Sequence, residues 1–119
     1  KLSISQSGIA VGNGDTTVNN AATIAGPGGF AIGAELVLVT GNIVGAITAA
    51  SAAGAIGSAG SAYAIGAKVL FAVDNGSGSA AYLFTAADAN ATVGAAELTL
   101  LAALSNTAAT LTGDWVFGA

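Results

Sequence analysis

Residues 67–85, AKVLFAVDNGSGSAAYLFT, carry two apolar runs of strand length separated by a cluster of turn residues. Lys68 to Val73 and Ala80 to Phe84 are rich in β-branched and aromatic side chains, which suit a pleated surface. Between them DNGSGS offers Asn75-Gly76 and Gly78, residues that accept positive φ without steric cost. The stretch therefore predicts a β-hairpin, and a hairpin needs further strands beside it to be stable.

Those strands are sought on either side. AELVLVT, Ala34 to Thr40, is a continuous apolar run with β-branched members, which predicts a strand buried on both faces. TAASAAGAIGSA follows, with Thr48 as N-cap of a short alanine-rich helix in which Gly54 and Gly57 are weak points. Downstream, GAAELTLLAAL places Leu98, Leu101 and Leu104 at the spacing of one helical face, with Leu100 beside them. Glu97, three residues past Gly94, sits where a capping glutamate stands. LTGDWVF reads as a final strand. At the other end LSISQSGIAV alternates Leu2, Ile4 and then Ile9, Val11, interrupted at Ser7-Gly8, the pattern of a bent edge strand. GNGDTTVNNAATIAGPGGF reads as loop around a short strand or helical turn near Thr17 to Ile24. The predicted fold is α+β, a mixed β-sheet with two short helices packed on it. Its N-terminal edge strand would be available for donation to a neighbour through Leu2, Ile4, Ile9 and Val11. One domain spans 1–119, with a loop-rich part at 1–33 and a denser part at 34–119.

Composition excludes several function classes. The chain has 119 residues, no cysteine and no histidine, so thiolate metal sites, disulfides and the usual general base are absent. Lys1 and Lys68 are the only basic residues against six acids, too few to neutralise a run of phosphates, so neither nucleic acid nor anionic lipid is expected as a partner. The hydrophobic fraction is 54%, but the uncharged stretch between Glu35 and Lys68 draws its hydropathy from alanine and is broken by glycines. It does not read as a spanning helix, and membrane insertion is not expected. Charged residues make up 7% of the chain, against ~25% in typical soluble domains. A surface of Ala, Gly, Ser, Thr and Asn gives little repulsion between copies, which suits walls, fibres and matrices outside the cell.

Few residues promise chemistry. In ADANATVGAAE the oxygens of Asp88, Asn90, Thr92 and Glu97 are candidate calcium ligands, because a hard cation wants several oxygens that a turn can bring together. The competing reading has Asp88 and Asn90 shaping a turn while Glu97 caps the following element. GNGDTT, Gly12 to Thr17, lacks the lysine of a phosphate cradle and the successive repeats of a calcium roll. Without histidine a Ser-His-Asp arrangement cannot form, and Lys68 at a strand end reads as an edge guard. No catalytic residue is assigned and no enzyme is expected. Tyr63 and Tyr82 are weighed as ligand contacts and read rather as packing residues.

From about Ala34 to the end the chain resembles the C-terminal module of bacterial proteins exported by type I secretion, found on repeats-in-toxin-like adhesins, surface-layer-like proteins and matrix proteins. The pieces carrying the resemblance are VLFAVDNGSGSAAYLF, the AELTLLAAL segment with its preceding D-x-N-x-T-V loop, and the ending D-W-V-F. Relatives of this kind commonly have serine where this chain has Gly94, and the calcium repeats that often precede such modules are missing. The resemblance implies export without a cleaved N-terminal signal, directed by an uncleaved C-terminal segment that includes Asp114, Trp115, Val116 and Phe117. The expectation is a non-enzymatic extracellular structural protein that self-assembles into a surface filament, layer or biofilm matrix. Its partners would be copies of itself and, during secretion, a type I exporter. No cofactor is required, with calcium as a candidate. The alternative is a calcium-binding secretion or anchoring module of a larger adhesin.

Overall fold

The computed structural model describes residues 2–5, 20–105 and 115–118. The hairpin is formed by β4 (Lys68–Asp74) and β5 (Gly78–Thr85), in antiparallel register with Phe71 opposite Tyr82 and Val73 opposite Ala80. Its turn closes through local polar groups. Oδ1 of Asn75 accepts the N–H groups of Ser77 (3.1 Å) and Gly78 (2.9 Å), and Gly76 takes a φ of 86° that a side chain would strain.

Parallel to β4 lies β3 (Leu36–Val39), all four residues of which are buried, as a continuous apolar run requires. β2 (Ala22–Ile24) pairs parallel outside β3. A parallel pair needs a crossover, and α1 (Ala49–Ile56) stands between β3 and β4 in the chain. Adding β6 (Leu98–Ser105), antiparallel to β5, gives a five-stranded mixed sheet ordered β2-β3-β4-β5-β6. Strand alternation sends Val37, Phe71, Tyr82 and Phe84 to the face that Ala52 and Ile56 of α1 cover, and Leu36, Leu38, Leu70 and Ala81 to the other. Phe71 is the aromatic hub of the first face, with ring centroids 5.4 Å from Phe30 and 5.9 Å from Phe84.

The helix at Thr48 forms as its sequence predicts. Thr48 Oγ1 accepts the Ser51 N–H (3.1 Å), Ser51 Oγ accepts the Thr48 N–H (2.8 Å), and Gly57 ends the helix at φ 79°. Serine thus completes a capping box usually closed by glutamate or glutamine. Gly54, exposed in mid-helix with a normal φ, has nothing within 4 Å of where a Cβ would stand. Gly54→Ala is therefore expected to stabilise the chain by roughly 0.5–1 kcal/mol, read as a raised denaturation midpoint.

The expected α+β fold with a pair of helices is corrected to a mostly β one, a five-stranded mixed sheet carrying a single helix among the described residues. Instead of a helix over 94–104 there is a 3₁₀ turn, Ala95–Glu97, followed directly by β6. The physical reason is a β-bulge. Tyr82 pairs with Leu100 and Ala81 with Ala102, so Leu101 is an extra residue that resets the alternation. Leu98 packs in the α1-side cluster and Leu101 against the opposite one. Leu98 and Leu101, three apart, thus lie on opposite faces of a strand and not on one face of a helix, while the bulge sets Leu101 and Ala102 against the same cluster.

The N-terminal strand also lies elsewhere than expected. β1 (Leu2–Ser5) is not on the edge of the five-stranded sheet but pairs in parallel with β7 (Trp115–Gly118), with Leu2 opposite Trp115 and Ile4 opposite Phe117. The two form a separate two-stranded sheet.

Candidate functional site

In the loop between β5 and β6, the expected calcium site, the side-chain oxygens of Glu97 and Asn90 accept backbone donors. Glu97 accepts the Gly94 N–H on Oε1 (2.9 Å) and the Ala87 N–H on Oε2 (2.8 Å), so one carboxylate closes both ends of the loop. Asn90 Oδ1 accepts the Thr92 N–H (3.0 Å), an Asx turn. Thr92 Oγ1 lies 3.1 Å from Ser58 Oγ, beside a β-bridge between the same residues. Asp88 is exposed. Among the described residues no three acidic, histidine or cysteine side chains converge as a metal would need.

The hydrogen bonds make the loop a clasp. Tyr63 N–H donates to the Asn90 carbonyl (2.9 Å) and Ala59 N–H to that of Ala91 (2.8 Å), tying the segment after α1 to the entrance of β6. Glu97→Ala removes two charge-assisted bonds at once and is expected to cost about 1–3 kcal/mol. Glu97→Gln, which keeps one acceptor, should lose less. Urea denaturation of both variants checks the order.

Tyr63 and Tyr82 are packing residues, 2% and 3% exposed. The Tyr63 ring lies tilted against that of Phe84, centroids 4.9 Å apart, and burial pushes its phenol pKa up to about 12. Neither ring is available to a ligand as the chain is folded. Asp74, 4% exposed, is a carboxylate held inside, with its pKa raised above 3.8 by burial and only partly drawn back by the Gly76 N–H. Because the folded value lies above the unfolded one, protonated Asp74 favours folding at low pH. That contribution is fully present below the unfolded pKa and is lost as pH rises through the folded one.

The surface that stands out is an edge. Among the described residues β6 pairs only with β5, which leaves one side of an eight-residue strand without a partner strand. Its sequence, LTLLAALS, carries no charge. Thr99 and Ala103 are exposed, and Leu100 is 54% exposed beside the bulge. The opposite edge, β2, is three residues long. This edge was hidden in the sequence by the helical reading of 94–104. A signal was present, because a surface helix of LTLLAALS would show no polar face to water.

Of the residues expected to serve assembly, Leu2 and Ile4 lie in β1, while Ile9 and Val11 fall outside the described residues. Of the expected secretion signal, Trp115, Val116 and Phe117 lie in β7 and Asp114 falls outside, as does GNGDTT. Among the described residues no helix is long and apolar enough to cross a membrane. Compared with known proteins, the chain matches no family model, no curated protein and no solved structure.

Proposed function

We propose that this chain is a non-enzymatic extracellular structural protein, a subunit that associates with copies of itself in a surface filament, layer or biofilm matrix. The observation that carries the reading is the uncharged β6 edge, eight residues of main chain with one side unpaired among the described residues. Unpaired N–H and C=O groups in a row are a template for another strand, and soluble proteins commonly guard them with lysine or proline. A chain with two basic residues and six acids has little charge with which to keep copies apart.

Export by a type I exporter belongs to the same reading and rests on the resemblance of the ending DWVF and the hairpin. The loop clasp at Glu97 accounts for the D-x-N-x-T-V segment without a cation, so calcium is not part of the proposal. Immunogold electron microscopy of material recovered from the surface of the producing cells tests it. Label along ordered filaments or lattices is the expected result. Label confined to the cell interior, or to dispersed protein in the medium, would overturn it.

A further inference from the structure

We propose that the outer edge of β6 is the surface by which one copy binds another, the two β6 strands pairing antiparallel about a two-fold axis; this rests on the self-assembly reading above.

Three observations lead there. First, the two edges of the sheet are unequal. β6 has eight residues and β2 has three, so a head-to-tail contact of β6 on the next copy's β2 would be limited to three residues of ladder. Pairing β6 with β6 places equal lengths side by side. Second, a two-fold contact sets a surface against itself, which penalises any charge close to the axis. β6 carries none, so no like charges meet. Third, of the usual edge guards, lysine, proline and inward-pointing charge are all missing from Leu98–Ser105.

The bulge at Leu101 is a guard that β6 does carry, and it shapes the contact. It interrupts the strand between Leu100 and Ala102, so the intermolecular ladder consists of short stretches on either side of it and not one straight run. Leu100, half-exposed beside the interruption, is a large apolar side chain on the strand itself. Its cover by the second copy supplies an apolar contribution to a ladder that is otherwise main chain. Such a contact closes at two copies. A longer assembly is then a series of these pairs joined through a different surface.

The test uses the full chain. Sedimentation velocity over a concentration series compares the wild type with the double variant Thr99→Lys/Ala103→Lys, both exposed positions where lysine can be placed without entering the core. The wild type is expected to show a dimer that grows with concentration, and the variant to weaken it at least ~100-fold while keeping the circular dichroism spectrum. Amide exchange of the wild type gives a second reading that needs no variant: β6 amides should slow as concentration rises. Dimers or polymers that persist undiminished in the variant, or β6 amides that exchange at the same rate at every concentration, would overturn edge pairing and leave self-assembly standing. A wild type that stays monomeric throughout would overturn both.

Discussion

Phe71→Ala is expected to lower the stability of the folded chain by about 3–5 kcal/mol, the cost of truncating a buried aromatic that neighbours cannot collapse to replace. Phe71 lies on β4, the strand at the centre of the sheet order, and is fully buried. It makes edge-on contacts with Phe30 from the loop before β3 and with Phe84 from β5, so its ring joins three separate parts of the chain. Edge-to-face pairs add about 0.5–1.5 kcal/mol beyond area burial. A single domain is typically stable by only ~5–15 kcal/mol, so the variant gives up a large part of the whole. Leu100→Ala is the control. That side chain is 54% exposed and its loss should shift the midpoint little in dilute protein. Equal losses at Phe71 and Leu100 would mean that the burial of the two side chains is wrongly assigned.

The second large effect is expected at the end of α1. Gly57 sits at φ 79° and ψ −131°, a region essentially restricted to glycine. A Cβ there would stand 2.7 Å from Pro27 Cβ and 2.8 Å from the Gly28 nitrogen, both on a neighbouring segment. That segment is tied down by the Gly28 N–H to Ile56 carbonyl bond (2.8 Å), while the Gly57 carbonyl accepts the Val93 N–H (3.0 Å). Backbone strain of roughly 1–3 kcal/mol and overpacking of roughly 1–3 kcal/mol combine, so Gly57→Ala should destabilise by about 2–6 kcal/mol. The contrast with Gly54→Ala, three residues away and of opposite sign, makes the pair diagnostic. Chemical denaturation of the two variants side by side measures it.

The parts legible in the sequence are those whose signals are local. Asn75-Gly76-Ser77-Gly78 encodes its turn in side-chain acceptors and a positive φ, and Thr48 encodes its cap. Leu36–Val39 announces two-sided burial by having no polar alternation. β6 was misread because a bulge is a relation between two strands. Nothing within 94–104 marks Leu101 as the residue that Ala81 and Tyr82 will skip. The parallel pairing of β1 with β7 joins the two ends of the chain, and no spacing within either strand points to the other.

The candidate site shows the same division. Glu97 was legible as a capping residue, and its Oε1 bond to Gly94 N–H follows from a separation of three residues. Its second bond, to Ala87 ten residues back, was not legible, and that bond turns a cap into a loop clasp. Asp88, Asn90 and Thr92 read equally as ligands or as turn residues, because oxygen-rich turns and cation loops share a composition. Which they are depends on where the backbone N–H groups point. The β6 edge could be seen only once β6 was known to be a strand.

Static light scattering of the purified chain across a concentration series, run with calcium and with a chelator, measures whether copies of the chain associate. The expected result is mass that rises above the monomer with concentration, equally in both buffers, because main-chain pairing along an uncharged edge needs no cation. A chain that remains monomeric at the highest concentration in both buffers would contradict it.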